Sequence, residues 1–310
     1  MIRRLILVLG LVFMGQALVA LPKYPSYPLN IEPLKRFPDV FQRFEDLRKK
    51  FEVDALSEQE HRERMALIEK VLVTQPEWQD GYWLLAADSF FLGSNVMHPS
   101  DHPGARRDLV QGREALERCM KLKPDHLLCR FLYASIKAKI ASIDGIFSSL
   151  KHGRTVKDIW LSVVKSPYDM SFRPNVTMQG AARFALGLFY RLVPDSIWVQ
   201  WIWGIRGNID TSIRYHRESL ELDPRNPCAR LMLAVALLCK VQGEAHTPQF
   251  GEAMSLLQET AREPSIDLAQ AVCVKDAPLI AREPMKTCGY TQAKYQDEIP
   301  EEKLREKRRT

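Results

Sequence analysis

Beyond its first 20 residues the chain has no long uncharged apolar run, so no segment of the mature protein is expected to cross a bilayer, which takes about 20 consecutive apolar residues. It has no Walker-type phosphate loop, no Gly-x-Ser-x-Gly elbow, no dinucleotide fingerprint and no His-Glu-x-x-His, so nothing in it argues for an enzyme or a cofactor. Charge of one sign is scarce too. The 44 basic and 38 acidic residues leave a formal +6, spread along 310 residues with no basic–aromatic motif, which argues against nucleic acid as a partner. None of the six cysteines stands at Cys-x-x-Cys spacing, which argues against a zinc site of the usual kind.

What is present describes a globular, exported chain. Hydrophobic residues make up 46% and charged residues 26%, the balance of a protein with a sizeable core. Arg3 and Arg4 precede an apolar run from Leu5 to Met14, and small residues follow at Gly15, Ala17 and Ala20. This is the layout of a secretory leader over residues 1–20, with cleavage after Ala17 or after Ala20 both open. The run is short for an uncleaved anchor, and no cysteine stands there to take a lipid. The mature chain is therefore expected to be periplasmic or secreted, and not membrane-associated. In such a compartment an even cysteine count reads as disulfides. Cys119 and Cys129 flank the turn Lys123-Pro124-Asp125, where antiparallel helices would bring them together. Cys273 and Cys288 are candidates to clasp the C-terminal region. Cys228 and Cys239 complete the six, and ordinary burial without pairing stays open for several of them.

Internal periodicity is the strongest signal. Residues 69–76, 118–124 and 218–224 align without gaps on a proline, at Pro76, Pro124 and Pro224. Ten residues after each proline stands an alanine (Ala86, Ala134, Ala234), preceded by Leu85, Tyr133 or Leu233. Proline disfavours a helical conformation in its predecessor, so each segment predicts a helix end, a short turn and a new helix. The small residue lets a neighbouring helix approach, and the apolar residues at helical spacing fill the interface.

This pattern resembles the tetratricopeptide repeat. Leu186-Gly187-Leu188-Phe189-Tyr190 matches that family's first-helix element, and residues 212–224 match its second helix and turn proline. Pro167 and Pro264 are weaker turn prolines, and the resemblance spans roughly residues 60–270. It implies an all-α solenoid of helical hairpins. The turn prolines are 48, 43, 57 and 40 residues apart, above the ~34 of the regular repeat. The excess falls mostly within helix pairs, at residues 93–104 and 193–208, and Arg183 stands where the family has tryptophan. Enlarged repeats of this kind are similar to those of the TRAP transporter T component and of the regulator-of-microtubule-dynamics proteins. The expected layout is a leader at 1–20, an extension at 21–59 lying along the solenoid's N-terminal end, the repeat domain at 60–276, and a C-terminal extension with a charged tail at 277–310.

Few residues invite a functional reading. His98, Asp101 and His102 have metal-like spacing, but Pro99 and Pro103 favour a solvated loop. Asn175-Val176-Thr177 fits the glycosylation tripeptide, which is common by chance. The densest feature is Trp198, Trp201 and Trp203 among Ile197, Val199, Ile202 and Ile205, more apolar surface than one helix face needs. Either the segment plugs the solenoid as core, or it lines an apolar pocket or contact surface together with Phe189 and Tyr190. Two function classes follow. A helical solenoid presents an extended surface for a protein partner. Alternatively, the insertions narrow it into a pocket for an apolar small molecule or lipid, which the T-component resemblance would imply.

Overall fold

The computed structural model describes residues 24–53, 55–93, 102–242 and 244–292. The leader, His98, Asp101 and the charged tail lie outside these residues. The protein is an all-α solenoid of helical hairpins. Its principal helices are α1 (Glu32–Lys35), α2 (Pro38–Val53), α3 (Glu58–Thr74), α4 (Gln79–Leu92), α5 (His102–Leu122), α6 (Leu127–Ile143) and α7 (Ile146–Val164). They continue with α8 (Met178–Leu192), α9 (Ile197–Trp203), α10 (Ile209–Leu222), α11 (Pro227–Val241), α12 (Pro248–Arg262) and α13 (Leu268–Arg282). Among the described residues the only sheet is a hairpin of β1 (Ser171–Arg173) and β2 (Val176–Thr177).

The five turn prolines fall between helices as expected. Pro76, Pro124, Pro224 and Pro264 separate α3 from α4, α5 from α6, α10 from α11 and α12 from α13, and Pro167 ends the α7 segment. Side chains at the helix starts satisfy amides that have no partner within the helix. Ser57 and Glu60 form a capping box on α3, Asn226 caps α11 just ahead of Pro227, and Asp267 caps α13. The tight pairs are α4 with α5, α6 with α7, α8 with α10, and α11 with α12. Ala86, Ala134 and Ala234 are fully buried on the helices that open three of these pairs, and Gly187 holds the like place on α8. A small residue there allows the closest approach of the two helices.

The core forms one large cluster from Leu34 to Tyr215 and a second from Cys228 to Tyr290. Burial therefore continues past residue 276, through α13 to Tyr290. Residues 24–31 contact helices along the solenoid. They run as an extended strap past the starts of α4, α6 and α8: Asn30 donates its amide to Asp80, the Tyr27 ring lies tilted against His126 at 5.6 Å, and Arg183 donates to the Tyr24 hydroxyl. That last bond gives a role to the arginine standing at the family's tryptophan position.

Three disulfides are present. Cys119–Cys129 closes the α5–α6 turn. Cys273 and Cys288 do clasp the C-terminal region, but not to each other. Cys228–Cys273 ties the start of α11 to α13, and Cys239–Cys288 ties its end to the segment after α13. Cys228 and Cys239 are about three helical turns apart, so they share one face of α11. Both C-terminal partners pack against that face.

Candidate functional site

The insertion between α8 and α10 is closed at its base. The Asn208 amide donates to Tyr190 O at 2.8 Å, and the Gly207 amide to Pro194 O at 3.1 Å. A Cβ on Gly207 would lie 1.9 Å from Val193 O, so only glycine permits this closure. Within the loop, Ser196 caps α9 and Gly204 ends it in the left-handed conformation at φ 68°. α9 lies on α7. Gly153 makes room there, since a Cβ on it would meet Ile205 at 2.5 Å and Phe189 at 3.4 Å.

The five aromatic residues expected to act together do not gather in one pocket, although Phe189 meets Tyr190 edge-on at 5.4 Å. Phe189 and Trp203 join the small cluster of Leu150, Val199 and Ile205 that glues α9 to α7. Tyr190 stacks on Tyr215 at 5.8 Å, and the Arg214 guanidinium lies over Tyr215 at 4.3 Å. Trp198 and Trp201 pair edge-to-face at 6.4 Å on the other side of α9. Trp201 is 74% exposed, Ile197 61% and Ile202 40%. The insertion is therefore half core and half surface: Val199 and Trp203 face α7, Ile197 and Trp201 face outward, and Ile202 lies at the margin between the two sides.

A second constellation was not anticipated from sequence. The β1–β2 hairpin lies across the face shared by α4 and α6. The Phe172 ring is stacked between Trp83 at 6.1 Å and Phe131 at 5.6 Å. Beside it the buried Arg173 guanidinium lies 4.2 Å from the Phe51 ring and 5.3 Å from that of Phe91, and it forms an ion pair with Asp267 at the start of α13. Burial lowers the pKa of Arg173, and Asp267 opposes that shift. The local signal was Pro174-Asn175 at a turn, with Asn175 at φ 63°. Nothing local indicated the aromatic slot, whose walls are 40 to 90 residues away.

The hairpin is held at its base by Asp223, which accepts the Thr177 amide at 3.2 Å. Burial pushes its carboxyl up to about 7. The folded state thus keeps a proton that the unfolded chain releases near pH 4, so this group's contribution to stability falls as pH rises from about 4 to about 7. Asp223→Asn should remove that decline, narrowing the drop in Tm between pH 5 and pH 8. An unchanged difference would mean that Asp223 is not desolvated.

Elsewhere α5, α6 and α7 border a cavity of about 290 Å³ lined in part by Arg106, Tyr133, Lys137, Asp144 and His152. Arg106 is paired with Asp144, and Lys137 lies over the Tyr133 ring. Burial, with Lys137 and Lys151, lowers the pKa of His152. A cluster of Cys119, His126 and Cys129 has metal-like spacing, but both sulfurs are in the disulfide and the His126 ring bonds Asp80 at 2.9 Å.

No protein-family model and no curated protein matches the chain. A solved structure similar to it is a MamA RS-1 ArsTM double mutant, 13% identical over 75% of this chain and 98% of that one, with a TM-score of 0.45. So loose a likeness carries no functional argument. The hairpin architecture rests on this chain's own helices.

Proposed function

We propose that the protein is an exported interaction scaffold that receives an extended segment of a protein partner on the face shared by α4 and α6. The observation behind this reading is the seat of Phe172 and Arg173. That face holds the Phe172 ring by stacking, and Phe91 of α4 with Phe51 of α2 holds the adjoining Arg173 by cation–π contact, two interactions that recur in protein recognition. In the isolated chain the seat is filled in cis by a two-stranded hairpin, an element of marginal stability by itself. A partner segment of like chemistry would exchange with it. Export is supported by the leader pattern and by three disulfides among the described residues.

The carrier reading, with the T-component system it would imply, has less support. Phe189 and Trp203 are packed against α7, Tyr190 stacks on Tyr215, and Trp201 faces outward. The test uses a labelled peptide of residues 168–178. It should bind the Phe172→Ala/Arg173→Ala variant by fluorescence anisotropy, and bind wild type about tenfold more weakly or less, because a cis segment competes at high effective concentration. A variant that keeps its helical CD spectrum yet binds no peptide would sink the proposal, as would equal binding to both proteins.

A further inference from the structure

The outward face of α9 is independent of that seat. It joins Ile197, Trp201 and Ile202, with Trp198 half-buried beside them, on a loop that projects between two helices of a pair. Isolated exposed apolar side chains are ordinary, but three large ones on a seven-residue helix form a patch. Its rim is cationic. Arg154, 72% exposed, lies against Gly204 at the end of α9, and Lys151 is exposed one turn earlier on α7. Asp158 lies 4.0 Å from Arg154 and 3.9 Å from Lys157, and Arg206 is ion-paired with Asp195. These pairs leave the rim a net excess of positive charge, with Lys151 and Arg154 its most outward cations.

We propose that this face docks the protein on an anionic lipid surface, with Trp201, Ile197 and Ile202 as a shallow wedge and Lys151 and Arg154 over the headgroups. An interfacial helix combines these features: aromatic and aliphatic side chains to one side, basic residues at the rim, and a tryptophan whose ring suits the headgroup layer. Attraction of juxtaposed lysines and arginines to anionic lipid adds to the apolar term. A second copy of the chain fits less well. A stable interface takes about 20–30 residues from each side, and this patch offers three or four. The contact is peripheral, since no described helix is long and apolar enough to cross a membrane. It also departs from the expectation that the mature chain keeps clear of membranes.

The test is flotation of the full mature chain with phosphatidylcholine vesicles, with and without phosphatidylglycerol. Binding should require the anionic lipid and weaken as salt screens the rim. Ile197→Ser/Trp201→Ser should reduce it by about tenfold or more with only a small change in Tm, because both side chains are mostly exposed. Lys151→Glu/Arg154→Glu should reduce it comparably. The proposal is overturned if the wild-type chain does not float, if the serine variant floats equally well, or if wild type is a dimer that the serine variant makes monomeric. In that last case a second copy covers the face. None of these outcomes bears on peptide binding between α4 and α6.

Discussion

Replacing Gly187 by Leu should cost more than about 3 kcal/mol, beyond the usual range for overpacking a core. A Cβ at this position would already lie 2.5 Å from Cε1 and 2.6 Å from both ring nitrogens of His216, and leucine adds three further carbons. The ring has no room to retreat: it is fully buried and meets Phe184 edge-on at 5.8 Å. The backbone is as tightly held. Ser212 donates its hydroxyl to Gly187 O at 2.7 Å, and Ser219 donates to Gly180 O at 2.9 Å. Glycines seven apart on α8 thus meet serines seven apart on α10, which fixes the register of the pair. Gly187→Ala should cost about 1–3 kcal/mol, and adding His216→Ala should recover part of that loss, giving a coupling between the sites in urea unfolding. A Gly187→Leu protein with wild-type Tm would refute the packing described for α8 and α10.

His216 also shows how local sequence differs from tertiary placement. Residues 212–224 read correctly as a second helix because period 3.6 and a terminal proline are local properties. That the histidine at its centre is buried and held neutral depends on α8, reached only through the insertion. Burial, reinforced by the Arg191 charge, pushes its pKa down to about 3. The helices, the turn prolines and the place of Gly187 were legible for the same local reason. The hairpin was not: seven residues with a Pro-Asn turn specify a bend, whereas its stability comes from Trp83, Phe131 and Asp267. The tryptophan segment was half legible. Its density required burial or contact, but which side chains face α7 depends on Gly153 and Leu150 across the interface. Arg191 was invisible as a structural residue. Its buried guanidinium donates to the carbonyls of Thr287, Cys288 and Tyr290, and it gathers the C-terminal turn with no carboxylate partner among the described residues.

That turn is also the setting of the second large effect. Removing both C-terminal disulfides, through Cys228→Ser/Cys273→Ser combined with Cys239→Ser/Cys288→Ser, should release α13 and the segment through Tyr290 from α11. The two bridges close 45 and 49 residues of sequence. Loop-closure entropy assigns about 4 kcal/mol to each bridge, and less than double for the two because their loops overlap. Cys119–Cys129, spanning 10 residues, is worth about 3 kcal/mol by the same argument. The C-terminal losses fall on a cluster that stands apart from the large N-terminal one, so unfolding should separate into two stages. Hydrogen exchange should show α11–α13 losing protection before α4–α8 in the four-serine variant, with Arg191 left buried and its three carbonyl acceptors withdrawn. A single cooperative transition at the wild-type midpoint would show that packing alone, without the bridges, holds the C-terminal helices in place.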